Sequence, residues 1–114
     1  MSKELRWWGT SRQDVSHMPD GVRRQFDTKL RYLCENEPVS GLKPWRGAGP
    51  GGRELASGGY RLVISLEFDD AIYALHAFKK DGPRGRKTRH RHSELAKQRY
   101  KEVCVDYSAR VRKQ

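Results

Sequence analysis

Apolar residues recur at regular intervals along most of the chain. The aromatic run ELRWWGT, residues 4–10, predicts a short first strand. A short helix is expected next, ended by Pro19, and Asp20 begins a second helix that finishes before Pro38. The apolar positions of this second helix have helical spacing: Val22, Phe26, Leu30 and Leu33. The pattern therefore predicts two helices that form a hairpin with one buried face.

Three strands are predicted in the middle of the chain from runs rich in β-branched and aromatic residues. These runs are RELAS at 53–57, YRLVISLEF at 60–68 and AIYALHAF at 71–78. The pairs Gly58-Gly59 and Asp69-Asp70 separate them, and both are typical of two-residue turns. An antiparallel meander follows from this arrangement.

Two segments lack such a pattern and are predicted to be loops. Residues 39–52 hold five glycines and two prolines, which disfavours regular structure through most of the segment. Residues 81–92 are strongly basic and are expected to form a second loop. Apolar residues at helical spacing then predict a C-terminal helix over residues 93–113.

The order of elements predicts one α+β domain that spans residues 1–114. That order is β-α-α-β-β-β-α, which gives a largely antiparallel sheet with helices packed on one face. A chain of 114 residues is long enough for a single modest core but not for two independent ones. We expect the opposite face of the sheet to stay open to solvent.

Strand alternation places a set of chemically active residues on that open face. In the run 60–68, alternation puts Tyr60 and every second residue after it on the core side, and Arg61 points to the other side with Val63, Ser65 and Glu67. The two predicted turns fix which residues of the adjacent strands lie beside Arg61. The inferred face then carries Glu54, Arg61, His76, Phe78 and Lys80. A less specific interpretation stays open for each: a cross-strand ion pair for Glu54 and Arg61, and a structural hydrogen bond for His76.

The charge of the chain indicates a negatively charged partner. The formal net charge is +10, and between Lys79 and Arg91 seven lysines or arginines stand against one acidic residue. A nucleic acid is favoured over a membrane, because no apolar run approaches the ~20 residues that a spanning helix needs. The N-terminal sequence lacks the pattern of a signal peptide, so we expect a cytoplasmic protein.

The cysteines and histidines do not form a recognisable metal-binding or disulfide pattern. Cys34 and Cys104 are far apart and have no neighbouring ligand pattern, so free, partly buried thiols are expected. The sequence gives no indication of a cofactor or of a metal site.

Several segments, taken in order, resemble the phage-derived Gp49-like group of RelE and HigB toxins from type II toxin-antitoxin systems. The resemblance extends over roughly residues 5–103. The segments are WGTSRQDVSHMPDGVRRQF, LKPWRGAG, RELASGGYRLV, YALHAFKKDGPRGRKT and ELAKQRYKEV. LHAFKK with the following KT, and GGYRLV one strand earlier, are the most specific of them.

The resemblance implies a RelE-like fold and a metal-independent endoribonuclease that cleaves mRNA, commonly on the translating ribosome. It also implies a cognate antitoxin, usually with a helix-turn-helix domain. Such an enzyme uses the 2′-hydroxyl of RNA as the nucleophile, so it needs a base, cations for the phosphorane charge and an acid for the leaving oxygen.

The residues that match the family pattern are assigned roles by that resemblance. Arg61 matches the phosphate-contacting arginine, Lys80 is its cationic neighbour in the catalytic set, and Glu54 or His76 would transfer protons. Lys43, Arg46 and Lys79 match basic positions of the family. Apart from the resemblance, Phe78 is expected to stack an RNA base, and the charge of the basic segment predicts RNA binding by Arg84, Arg86 and Lys87. Related toxins often carry another basic residue on the second strand, where this chain has Leu55 and Ala56, so the general base stays unassigned.

Two other functions remain open on the sequence alone. One is a non-catalytic protein that binds RNA or the ribosome through the same cationic face. The other is a phage structural or accessory protein whose charge assists assembly. The toxin is preferred because a protein that only binds RNA has no need for Glu54 beside Arg61 and His76.

Overall fold

A mixed five-stranded sheet forms the centre of the fold. The computed structural model describes residues 2–80 and 85–112, with residues 85–88 described by their backbone alone. The strands within these ranges are β1 (Glu4–Trp7), β2 (Lys43–Pro44), β3 (Gly52–Ser57), β4 (Tyr60–Ser65) and β5 (Ala71–Lys79). Their order in the sheet is β1-β5-β4-β3-β2, with β1 parallel to β5 and the other neighbours antiparallel.

The three helices of the described chain are α1 (Ser11–Ser16), α2 (Asp20–Cys34) and α3 (Gly85–Arg112). The predicted α+β class is confirmed, and so is the helix pair before the meander. One element was not predicted: the two-residue strand β2 lies inside the glycine-rich segment and pairs with β3.

Helices cover both faces of the sheet, so the prediction that they all pack on one face was wrong. One buried cluster joins Phe26 and Leu30 of α2 to Leu62 and Ile64 of β4. A second cluster, on the opposite face, joins Ala96 and Val103 of α3 to residues of β4 and β5. The physical reason lies in β5, whose residues Ala71–Leu75 are all buried, as in a strand covered on both sides.

The predicted strand register is correct at the end of the sheet that carries the candidate site. Arg61 pairs with Phe78, Val63 with His76, and Ala56 with Arg61. Nearer the second turn the register shifts by one, because Ile64 pairs with Ala74 and leaves Leu75 without a partner in β4. This β-bulge, together with the end of β4 at Ser65, replaces the predicted two-residue turn at Asp69-Asp70.

The C-terminal helix begins at Gly85, eight residues before the predicted start at 93. The prediction of a basic loop over 81–92 was therefore wrong for residues 85–92, while 81–84 lie outside the described residues. In this N-terminal part of the helix, His92 contacts His76 and Phe78 of β5.

The glycine-rich segment packs closely against the end of β4. A Cβ atom at Gly51 would lie 2.3 Å from the backbone nitrogen of Glu67, so no larger residue fits without movement of the chain. Trp45 donates its backbone N–H to the carbonyl of Gly52 at 3.0 Å, which holds the segment against β3. The packing brings the side chain of Trp45 to the α3 side of the sheet, beside Phe78.

The cysteines agree with the sequence-based expectation. Cys34 and Cys104 are both free and partly buried. Within residues 2–80 and 85–112, no helix has the length and apolarity needed to cross a membrane.

Candidate functional site

The candidate site lies on the α3 side of the sheet, where four strands bring their residues into rows. One row across the sheet is formed by paired residues of β2, β3, β4 and β5: Lys43, Glu54, Val63 and His76. The neighbouring row holds Ala56, Arg61 and Phe78. The strands thus bring Glu54, Arg61, His76 and Phe78 to one face, as the sequence predicted, although α3 covers part of that face.

Arg61 and Glu54 form the ionic part of the site. Arg61 Nε lies 2.7 Å from Glu54 Oε1, and their side chains are only 16% and 20% exposed. Arg61 Nη1 also donates to the carbonyl oxygens of Gly58 and Tyr60, at 2.7 and 2.9 Å. Among the described residues, no hydrogen bond engages Nη2. The guanidinium is therefore held in one position while part of it remains available to a ligand.

His76 belongs to a buried polar network rather than to an open surface. It is 5% exposed, so the expectation of a solvent-facing histidine was wrong. Its Nε2 lies 2.7 Å from His92 Nδ1, and its Nδ1 lies 3.3 Å from Nη1 of Arg99. Both partners come from α3, which covers β5 at this point.

The position of His76 strongly favours the neutral imidazole. Burial, together with the nearby His92 and Arg99, lowers the pKa of His76 from its ordinary value of 6.5 to about 4, and burial is the largest of these causes. A neutral, enclosed imidazole can accept a hydrogen bond at one ring nitrogen and donate one from the other. This agrees with the structural hydrogen bond that the sequence left open as the role of His76.

Aromatic side chains enclose the end of the site. His92 is stacked on Phe78 with ring centroids 4.1 Å apart and planes 16° apart. Trp45 approaches the same ring edge-to-face at 6.1 Å, and its buried Nε1 has no hydrogen-bond partner among the described residues. Protein therefore covers one face of Phe78, the ring expected to stack an RNA base.

The remaining cations whose side chains are described lie on or next to β2 and β5. Lys80 is exposed just beyond β5, and its backbone N–H donates to Gly59 at 2.7 Å. Lys79 lies 5.9 Å from the ring centroid of Tyr60, whose side chain packs against the α2 side of the sheet. Lys43 and Arg46 are exposed. The side chains of Arg84, Arg86 and Lys87 lie outside the described residues.

Sequence reasoning missed His92 and Arg99, which complete the network around His76. With the helix starting at Gly85, the inward positions His92, Ala96, Arg99 and Val103 have spacings of four, three and four. Extending the helical period N-terminally past residue 93 could have found them. In the part of the chain that the structure describes, no group of three or more histidine, cysteine or acidic residues is placed to hold a metal ion.

The comparisons with known proteins agree with this architecture. The family model for phage-derived protein Gp49-like matches residues 13–101. Among curated proteins, none matches the sequence significantly.

Solved structures of RelE-type proteins share the fold. The isolated RelE toxin of E. coli has a TM-score of 0.59 at 19% identity, with 79% of this chain and 98% of that chain covered. A form of that toxin with two arginines replaced by alanine has a TM-score of 0.56 at 22% identity, covering 76% and 93%. A chain of the toxin-antitoxin complex RelBE2 from Mycobacterium tuberculosis has a TM-score of 0.52 at 20% identity, covering 69% and 92%.

These likenesses define a RelE-type α+β domain. The extent of the family match shows more than a fold, because it spans most of the chain. The protein belongs to the phage-derived Gp49-like family, which confirms the resemblance drawn from the sequence.

Proposed function

We propose that this protein is the toxin of a toxin-antitoxin system and acts as an endoribonuclease on mRNA, bound at the ribosome in the cytoplasm. Membership of the Gp49-like family and the likeness to RelE toxins support this proposal. The observation that carries the chemical part is the pair of Glu54 and Arg61, a carboxylate and a cation 2.7 Å apart on one face of the sheet.

The proposed reaction is attack of the RNA 2′-hydroxyl on the adjacent phosphorus. The bond from the 2′-oxygen to phosphorus forms as the bond from phosphorus to the 5′-oxygen breaks, so the products carry a 2′,3′-cyclic phosphate and a 5′-hydroxyl. Glu54 accepts the proton of the 2′-hydroxyl, and the departing 5′-oxygen takes a proton from water. The reaction requires no metal ion, because RNA supplies its own nucleophile.

Cations would stabilise the negative charge that develops on the phosphorane. Arg61 is suited to this, because three contacts already fix its guanidinium before RNA arrives. Lys80 follows Phe78 with the same strand parity and would add a second charge at the edge of the site. His76, enclosed by protein on both ring nitrogens, is better placed to support the site than to exchange protons with RNA.

Lys43, Arg46 and Lys79, with Arg84, Arg86 and Lys87, would supply sequence-independent contacts to the RNA backbone. The cognate antitoxin, expected to carry a helix-turn-helix domain, would be drawn to a protein of net charge +10 by complementary acidic residues. The solved toxin-antitoxin complex RelBE2 supports such a partner.

A non-catalytic protein that binds RNA or the ribosome is the second candidate. The observation that favours it is the same ion pair, because Glu54 and Arg61 already satisfy each other as in an ordinary cross-strand pair. On this alternative the cationic face would provide affinity alone.

The test compares RNA cleavage by Arg61→Ala, Glu54→Gln and Lys80→Ala with cleavage by the wild type on programmed ribosomes. Removal of one fixed electrostatic stabiliser should slow cleavage by about a hundredfold. Arg53→Ala is the matched control. Arg53 donates to the carbonyls of Pro50 and Gly52, as Arg61 donates to two carbonyls near its own turn. Arg53, however, pairs with Ile64 and lies on the other face of the sheet.

Three outcomes distinguish the candidates. Cleavage that falls in Arg61→Ala but not in Arg53→Ala, with unchanged thermal midpoints, would support the enzyme. RNA or ribosome binding without any cleavage by the wild type would favour the non-catalytic alternative. Full cleavage by Arg61→Ala would show that the proposed site is wrong.

A further inference from the structure

The turn between β3 and β4 holds the guanidinium of Arg61 in place. The carbonyl oxygens of Gly58 and Tyr60, both in this turn, accept hydrogen bonds from Arg61 Nη1 at 2.7 and 2.9 Å. Glu54 of β3 contacts Nε at 2.7 Å. The position of the guanidinium therefore depends on the position of the turn, so contacts that fix the turn also fix Arg61.

The outer side of this hairpin end has no neighbouring strand. Within the described residues, β2 pairs only with Arg53 and Glu54 of β3. Residues 55–57 of β3 have a strand partner in β4 alone. On the inner side, by contrast, the backbone N–H of Lys80 donates to the carbonyl of Gly59 at 2.7 Å. A hairpin end that is paired on one side only opens readily unless other groups hold it.

Two polar side chains of α2 hold this outer side. Ser57 Oγ donates to Gln25 Oε1, and Lys29 Nζ donates to the carbonyl oxygen of Ala56 at 3.3 Å. Ser57 is only 5% exposed, so water competes little for its hydrogen bond. Ala56 is the direct cross-strand partner of Arg61. Both contacts therefore fix the hairpin beside Arg61.

Neither Gln25 nor Lys29 belongs to the apolar core that attaches α2 to the sheet. That attachment comes from Phe26 and Leu30, which are 0% and 1% exposed. Gln25 is exposed and Lys29 is half-buried, so replacing either of them leaves the core intact. An effect of these two residues on the site can therefore be separated from an effect on the fold.

We propose that Gln25 and Lys29 are positioning residues that fix the β3–β4 turn and thereby hold Arg61 ready for the RNA phosphate. The catalytic consequence rests on the proposed ribonuclease function, whereas the effect on Arg61 requires no RNA. Both residues belong to α2, which packs on the face of the sheet opposite the proposed site. A guanidinium that is fixed before the substrate binds stabilises developing charge without reorganisation, so loosening it should lower the rate more than the affinity.

The first experiment measures hydrogen exchange of the Arg61 Nε–H by NMR near pH 6, in the full-length protein without RNA. Gln25→Leu removes the acceptor of the Ser57 hydroxyl, and Lys29→Met removes the ammonium group. Each substitution should accelerate exchange at Arg61 by roughly five- to tenfold, as expected for the loss of one hydrogen bond that resists local opening.

Three controls belong to this experiment. Lys29→Arg keeps a cationic donor of similar reach and should exchange as the wild type does. Arg31→Met removes an exposed cation of the same helix and should have no effect at Arg61. The Trp8 Nε1–H, which is hydrogen-bonded at the other edge of the sheet, is the internal reference. Unchanged exchange at Arg61 would overturn the inference, and so would equal acceleration at Trp8, which would indicate a general loss of stability.

The second experiment measures cleavage of RNA on programmed ribosomes. Gln25→Leu and Lys29→Met should each lower kcat by about tenfold with little change in KM, because the guanidinium is still present but less well oriented. In an Arg61→Ala background neither substitution should slow cleavage further, because both act through Arg61. Additive losses, or a change in KM alone, would contradict the inference.

The two experiments separate a failure of this inference from a failure of the proposed function. A wild-type protein that does not cleave RNA would overturn the proposed function and, with it, the catalytic part of the inference. Cleavage that requires Arg61 but is unchanged in Gln25→Leu and Lys29→Met would overturn the inference alone.

Discussion

Replacing His76 with glutamine should change how the stability of the protein depends on pH. In the wild type the folded state holds His76 neutral, with a pKa of about 4 rather than 6.5. Among the described residues, the titratable and charged groups that face its ring are His92 and Arg99, both on α3. Glutamine keeps an amide N–H for the contact with His92 but cannot take up a proton. The variant therefore isolates the contribution of this one titration.

The sign follows from which state binds the proton first. As the pH falls below 6.5, the unfolded chain protonates His76 while the folded protein does not, so the folded state loses stability. The stability is fully present above pH 6.5 and declines until the pH reaches about 4. For a pKa of about 4, the loss is about 2 kcal/mol at pH 5 and about 3 kcal/mol below pH 4. A loss of about 2 kcal/mol lowers the thermal midpoint by roughly 8 °C in a domain of this size.

Urea unfolding at pH 7.5 and pH 5 provides the measurement. His76→Gln should be less stable than the wild type at pH 7.5, and about 2 kcal/mol of that difference should disappear at pH 5. His17→Gln, at an exposed histidine outside the network, is the matched control for general effects of acid. A difference between His76→Gln and the wild type that stays constant with pH, or that changes equally for His17→Gln, would refute the reasoning.

Two further predictions concern the packing of α3 and the basic segment. Gly9→Ala should destabilise the protein more than Gly58→Ala in urea unfolding: both glycines have a φ of 57°, but a Cβ at Gly9 would lie 2.7 Å from Arg99 Nε, whereas a Cβ at Gly58 would meet no atom of the described residues within 4 Å. Equal losses would show that Arg99 is not held against Gly9. Neutralising Arg84, Arg86 and Lys87 together should flatten the slope of log RNA affinity against log salt, because fewer counterions are released. An unchanged slope would mean that these residues do not contact phosphates.

The sheet could be predicted in detail where local signals agree. Gly58-Gly59 forms a tight turn, and the residues after it largely alternate between apolar and polar apart from Val63, so the pairing of Arg61 with Ala56 followed from the sequence. The pairing of Arg61 with Phe78 was also correct, although the β-bulge at Leu75 shifts the register further along. A bulge has no reliable sequence signal, since one unpaired residue leaves most of the apolar pattern intact.

The position and length of α3 could not be derived by the same reasoning. Helical periodicity is detected through apolar residues, and two inward positions of α3 hold His92 and Arg99 instead. The segment before them is basic and contains glycine and proline, which is typical of loops. Which face of the sheet α3 covers is decided by contacts between residues that are far apart in the sequence. The best local indication that both faces are covered was β5, whose apolar run continues without the alternation expected of a strand with one open face.

The bulge in β5 and the buried arginine depend on each other. Leu75 packs in the cluster beneath α3, and His76 contacts two residues of the same helix, so two consecutive residues face one side. Arg99 donates to the carbonyl of Leu75 and to the ring of His76. An apolar residue in its place would leave these acceptors buried and unsatisfied, at about 1–3 kcal/mol for each. Arg99→Met is therefore expected to lower the free energy of unfolding.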